Sequence, residues 1–269
     1  MARAPTGRLF GELTFQEAAS RVRASSILCM PLGAIEQHGP HLPLNTDGIV
    51  AEGVTRRIVE RWGEDFDLWQ LPTVAVGLSR EHDWAPGTLS LSIAGFATLL
   101  REMARDLTRS VPARNLVFVN GHGGNRGILD NLLHELRGEL GLNCCVIHPF
   151  DLGRSRNDPE NHDVHGGRSE TSVMLALAPD LVRRALIGRA GGPPDPQAVR
   201  ALIFDRGASF PWRTDDPRLA RDGVVGDAAA ASADEGNAIL GGMVTASGDV
   251  FTRLLDNGTL MQSDPRAKP

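Results

Sequence analysis

Short apolar runs alternate with amphipathic stretches through the first two-thirds of the chain. "SILCMPL" (26–32) is apolar almost throughout, as a strand covered on both faces must be. Ile49, Val50, Val54, Ile58 and Trp62 then recur at helical spacing, which puts Asp47 at a helix start. "LWQLPTVAV" (68–76) predicts a second strand, with Pro72 marking an edge position or a bend. A loop, "GLSREHDWAPG", leads to a short "TLSLS" strand and the helix "SIAGFATLLREMARDLTRS". "NLVFV" (115–119) predicts a further strand, and "NGHGGN" joins it to a helix that buries Ile128, Leu129, Leu132, Leu133, Leu136 and Leu140. "NCCVIHPF" reads as a strand, and "HGGRSETSVMLALAPD" as a loop turning into a helix that Pro179 ends. A capping box, Thr14 to Glu17, opens a short first helix, and Ser232 to Glu235 cap a last one running to about Leu255.

Strands alternating with helices imply an α/β fold, with a mainly parallel sheet covered on both faces. After Pro179 the pattern weakens into loop-like stretches, "GGPPDPQ" and "PWRTDDPRLARDG", with Trp212 as either a lid or an oligomer contact. There is no internal repeat and no clean linker, so residues 1–269 are expected to form a single domain.

Composition narrows the function classes. Apolar and charged fractions of 41% and 23% are those of a soluble globular protein. Net charge is −5, and no basic stripe with interleaved aromatics suggests nucleic acid. No apolar stretch approaches the ~20 residues of a membrane span, and "MARAPTGRLFGE" lacks a signal core. A cytoplasmic location is expected. Cys29, Cys144 and Cys145 lie in predicted strands and read as buried, reduced thiols. Tyrosine is absent, so no phenol can act as an acid.

The chemistry-bearing residues follow strand ends, where ligands bind in open α/β sheets. Glu36, His38 and Asp47 come after the first strand, Glu81 and His82 after the second, and His122 after "NLVFV". His162, Asp163 and His165 follow the strand ending near Phe150. In "EQHGPHLPLNTD" Glu36 and His38 emerge on the same side of an extended loop, and Asp47 returns at a helix N-terminus that favours its ionised form. One imidazole with two carboxylates suits zinc, manganese or iron, and also suits a polar turn with a helix cap. The glycines of "NGHGGN" depart from a dinucleotide loop but permit close backbone approach, with His122 as a further ligand. Glu170 sits at the start of a helix, where it either complements the dipole or ligates metal while His165 faces substrate. His41, His134, His148 and His162 are expected to have no chemical role. No G-x-S-x-G elbow and no H-E-x-x-H occurs.

These segments resemble the creatininase family of creatinine amidohydrolase-like proteins. "PLGAIEQHGPHLPLNTD", "EHDWAPGTLSL", "VFVNGHGGN" and "HGGRSETSVMLALAPDLV" carry the likeness, with "GVVGDAAAASADEG" a weaker match. The resemblance implies a three-layer αβα sandwich, a binuclear metal site and assembly as a homo-oligomer, often a hexamer. It assigns Glu36, His38, Asp47 and His122 as metal ligands, with Asp47 bridging, and His165 as the group that moves a proton.

Creatinine-hydrolysing members carry Tyr and Glu directly after the N-G-H histidine, and that Glu is a metal ligand. Gly123 and Gly124 stand there in this chain, so Glu170 is expected to supply the missing carboxylate. The chain is then similar to a larger "NGHGGN" group that includes formamide hydrolases and peptidases maturing a peptide-derived redox cofactor (mycofactocin-type). The resemblance implies a hydrolase using two divalent ions (zinc or manganese, with iron(II) a further candidate) and a metal-bridging hydroxide. It would cut a cyclic amide or formamide of a small molecule. A cofactor-maturing peptidase and a non-catalytic sensor are the rival readings. Glu81, His82, Trp84, Gly123 and Gly124 are expected to face substrate.

Overall fold

The computed structural model describes residues 7–152, 163–189, 191–192, 195–204 and 207–262; His162, expected in a loop, lies outside them. Helix α1 (Phe15–Arg21) follows the expected capping box: Thr14 Oγ1 accepts from Glu17 N, and Glu17 accepts from Thr14 N. Next come β1 (Ile27–Leu32), α2 (Thr46–Phe66), β2 (Leu68–Gln70), α3 (Ile93–Ser110) and β3 (Asn115–Asn120). Helix α4 (Arg126–Leu140), β4 (Asn143–Ile147), α5 (Pro149–Leu152) and α6 (Arg168–Leu177) follow. Beyond them lie α7 (Arg184–Ile187), α8 (Pro196–Val199), a ribbon of β5 (Gly191–Gly192) with β6 (Gly226–Asp227), and α9 (Ala233–Gln262).

The four main strands form a parallel sheet in the order β2-β1-β3-β4. Alternation sends their side chains into two cores. Ile27, Cys29, Val117 and Val119 meet Val50, Val54 and Ile58 of α2, Val173 and Met174 of α6, and Leu240 and Phe251 of α9. Leu28, Met30, Leu32, Leu116 and Phe118 face the other way, onto Phe96 and Leu100 of α3 and Leu129, Leu132 and Leu136 of α4. Helices on both faces of a parallel sheet make the expected αβα sandwich. No helix among the described residues is long and apolar enough to cross a membrane.

Several elements differ from expectation. The second strand stops at Gln70, because Pro72 cannot donate to a ladder; beyond it only the Leu71 N–H to Cys29 carbonyl bond and a bridge between Val74 and Leu32 continue the pairing. "TLSLS" is not a strand: its backbone pairing amounts to a single antiparallel bridge from Leu89 to Ile35 and one bond from the Leu91 N–H to the Gly77 carbonyl. The strand expected to reach Phe150 ends at Ile147, and Pro149 opens α5 instead. Cys144 and Cys145 are only partly buried, since β4 is an edge strand, although burial still pushes both thiols up, to about 11 and about 12. Helix α9 runs seven residues past Leu255, to Gln262.

Two close approaches position the site. A Cβ on Gly33 would lie 2.6 Å from Gly48 Cα, and one on Gly121 would lie 2.5 Å from the Asp47 carbonyl oxygen. Glycine at both places lets the first turn of α2 pack directly against the ends of β1 and β3.

Candidate metal centre and cleft

That close packing brings Asp47 between His38, which follows β1, and His122, which follows β3. Asp47 Oδ1 lies 3.2 Å from His38 Nε2, and Oδ2 lies 3.1 Å from His122 Nδ1. Glu36 Oε1 is 3.2 Å from His122 Nδ1, and Glu170 Oε2 is 3.8 Å from His38 Nε2. Two possible ligand sets result, Glu36–Asp47–His122 and His38–Asp47–Glu170, with Asp47 common to both. A third set, Glu36–His38–His165, overlaps them.

Backbone acceptors aim the rings. His38 Nδ1 donates to the Glu36 carbonyl at 3.2 Å, and His122 Nε2 donates to the Leu78 carbonyl at 2.5 Å. The opposite nitrogen of each ring therefore faces the carboxylates, as a metal-ligating histidine requires. Glu170 is held by the Gly166 N–H, which donates to Oε2 at 2.6 Å.

The electrostatics favour positive charge at this spot. Burial works against a charged His38, yet Asp47, Glu170 and Glu36 together raise it to about 9. His122 is likewise raised against the pull of burial by Glu36 and Asp47. Burial alone would raise Asp47, but His38 and His122 hold it well below the usual carboxylate range. Glu36 is pushed up by burial, and burial takes Glu170 to about 7. Both Glu36 carboxylate oxygens and Asp47 Oδ2 are buried without a hydrogen-bond partner among the described residues. Orphaned carboxylate oxygens at this depth are costly unless a cation takes them. The donors, imidazole nitrogen with carboxylate oxygen, are those that divalent zinc or manganese accepts.

A cleft of about 510 Å³ opens above the cluster. His122, Gly123, Gly124, His165 and Glu170 line its floor, and Arg80, Glu81 and His82 one side. Phe210 to Arg213, from the weakly patterned stretch, also line it, so Trp212 faces the cleft. Arg213 pairs with Asp83 at 3.1 Å, which ties this arm to the Glu81 loop. Glu81, Gly123 and Gly124, expected to face substrate, all line this cleft. His82 is 1% exposed, deeper than expected. Trp84 departs from expectation: it is not a lining residue, and its Nε1–H donates to Thr214 Oγ1 at 3.0 Å. His41 pairs with Thr171 Oγ1, His148 accepts from Asn120 Nδ2, and His134 is exposed on α4. Sequence reading missed Gln37 and Thr214, both buried in the polar network beneath the cleft.

The family model described as Creatininase: Creatinine amidohydrolase matches residues 11–250. The chain belongs to the creatininase family. It is thereby a hydrolase of C–N bonds, and divalent metal binding is supported by the family and by the cluster. It is 35% identical over 240 residues to a mycofactocin precursor peptide peptidase of Mycobacterium tuberculosis (strain CDC 1551 / Oshkosh), covering 87% of this chain and 88% of that protein. It is 32% identical over 255 residues to a creatinine amidohydrolase of Pseudomonas putida, covering 86% and 90%. A solved structure of creatininase with Mn superposes with a TM-score of 0.74 at 31% identity, over 91% of this chain and 97% of that one.

Proposed function

We propose that this creatininase-family chain hydrolyses a C–N amide bond with two divalent ions that share Asp47. Glu36 and His122 would complete the donors of one ion, and His38 with Glu170 those of the other. The observation that carries this is the pair of triads meeting at Asp47, with three of their buried oxygens otherwise unpartnered. Glu170 takes the part of the carboxylate missing at Gly124. Zinc or manganese in such a site activates water and polarises a carbonyl.

The chain's own residues do the rest. His165 is the proton carrier: it takes a proton from the attacking water as the new C–O bond forms. It then returns that proton to the leaving nitrogen as the C–N bond breaks. Burial, with His82 and His38 nearby, holds its pKa well below the ordinary value, so the resting ring is neutral. Phe210 and Trp212 supply an apolar wall, and Gly123 and Gly124 leave the floor clear.

The substrate that fits best is peptide-derived. A cleft of about 510 Å³, open to solvent, falls in the range of drug-sized ligands, and a small lactam would fill little of it. The likeness to a mycofactocin precursor peptide peptidase supports the same reading. A small cyclic amide or formamide is the second reading, favoured by the likeness to creatinine amidohydrolase. Metal per chain by elemental mass spectrometry, on wild type and Asp47→Ala, comes first. About two ions, lost in the variant, are expected, and a wild type that takes up none after reconstitution would sink the hydrolase. Turnover of short peptides against lactams and formamides then decides between the substrates.

A further inference from the structure

Gln37 sits between two proposed ligands, and its side chain points away from them into a buried polar network. Its Oε1 accepts the Gly39 N–H at 2.8 Å, which fixes which end of the amide is nitrogen. That nitrogen donates to the Gly223 carbonyl at 3.0 Å and reaches His82 Nδ1 at 2.9 Å. A Cβ on Gly223 would lie 2.1 Å from Gln37 Oε1, so only glycine lets the chain pass there. Thr214 Oγ1 is also 2.9 Å from His82 Nδ1, and it accepts the Trp84 Nε1–H. The remaining amide N–H also has Thr214 Oγ1 and His165 Nε2 within 3.1 Å. His82 Nδ1 is its shortest partner and faces the Thr214 hydroxyl too, so Nδ1 is assigned as the bare nitrogen and the proton to Nε2.

The same residue holds His165 in the same tautomer but turned round, so that its other nitrogen faces the site. His165 Nε2 donates to the Gln37 backbone carbonyl at 2.6 Å, which leaves Nδ1 bare and 3.6 Å from Glu36 Oε1. The two rings lie against one another with centroids 4.1 Å apart. His82 Nε2 is 3.3 Å from Glu36 Oε1, so the two imidazoles point at the same floor.

We infer that Gln37 is a positioning residue that holds His82 and His165 in the same Nε2–H tautomer but turned opposite ways, so that a protonated nitrogen of His82 and a bare nitrogen of His165 face the site. His82 then presents an N–H to the reacting carbonyl oxygen, and His165 presents a lone pair to the water. His82 keeps its proton throughout and stabilises the charge growing on that oxygen by hydrogen bonding alone. His165 alone carries the proton. This rests on the cleft being the hydrolytic site. It also makes His82 unavailable as a metal ligand, because the nitrogen facing the cluster is protonated.

The test is the ring-nitrogen chemical shifts of His82 and His165 in the full chain reconstituted with zinc, assigned with His82→Asn and His165→Asn. The expected result is a protonated Nε2 and a bare Nδ1 on both rings. A bare Nε2 on His82 in the wild-type protein overturns the inference. Gln37→Glu, which offers an acceptor in place of the donor, should move the His82 proton to Nδ1. It should lower kcat about 10²-fold, the usual loss for one oxyanion donor, with KM and metal content held. An unchanged His82 tautomer in Gln37→Glu would also overturn it. If zinc does not bind at all, the hydrolase reading fails, whereas the tautomers can still be read in the zinc-free protein and decide this inference separately.

Discussion

The Glu81 carboxylate fills the space that a side chain at Gly124 would enter: a Cβ on Gly124 would lie 2.7 Å from Glu81 Oε1. The same Cβ would lie 2.3 Å from the Leu78 carbonyl oxygen and 2.5 Å from His122 Nε2. The bond from His122 Nε2 to Leu78 is what aims the other ring nitrogen at Asp47. Gly124→Ala should therefore turn His122 away and weaken metal retention about 10–100-fold, the usual cost of losing a support behind a ligand. Gly123→Ala, where a Cβ meets nothing within 4 Å, is the control and should hold metal normally. Gly124→Glu should not gain creatinine turnover while Glu81 stands there. Chelator competition read by elemental mass spectrometry checks the first two, and equal retention by both alanine variants would contradict this account.

Asp47 is the residue both triads need. Metal that binds only the folded chain stabilises it, by about 2.7 kcal/mol at a hundredfold excess over Kd. The melting temperature of metal-stripped protein should rise by several degrees when zinc or manganese is added. Asp47→Ala should abolish that rise. A variant that still climbs with metal would show that Asp47 is not shared between the ions.

His165 belongs to one ligand set as well as lining the cleft, so its role needs a test that separates the two. As a proton carrier, His165→Ala should lose about 10²–10⁴-fold in turnover and keep its metal. As a ligand it would lose an ion. Measuring kcat and metal per chain on one preparation separates the two outcomes.

Sequence made the cluster legible because its imidazoles and carboxylates sit in short motifs just after strands, where the α/β fold gathers them. It also made both cores legible, through the alternation in "SILCMPL" and "NLVFV". It failed where the meaning of a residue lies far away along the chain. Gln37 looks like an inert neighbour of Glu36 and His38, and its role depends on Gly223, 186 positions on. Thr214 lies in a stretch with no periodicity at all. Trp84 looked substrate-facing because it follows Glu81 and His82, yet its indole N–H is taken by Thr214. "TLSLS" alternates correctly for a strand, but a strand also needs a partner, and Leu89 finds a single bridge.

Away from the cleft, Asp67 should make stability depend on pH. It closes α2 in the left-handed region at φ 51° and accepts from Arg8 at 2.7 Å, Ser26 at 2.5 Å and Trp69 at 3.2 Å. Burial alone would raise its pKa, but Ser26 and Arg8 prevail and hold it below the ordinary value. A carboxylate depressed in the fold adds stability above its unfolded pKa of about 3.9, and that stability is lost as pH falls through the folded value. Asparagine tolerates the left-handed backbone, so Asp67→Asn isolates the charge. The variant should be less stable by about 1 kcal/mol at pH 7, since partial exposure screens these contacts. The gap should close progressively below about pH 4. Urea unfolding of both proteins at pH 7 and along a descending series checks this, and a gap that stays constant to acid pH would mean that Asp67 acts through shape and not charge.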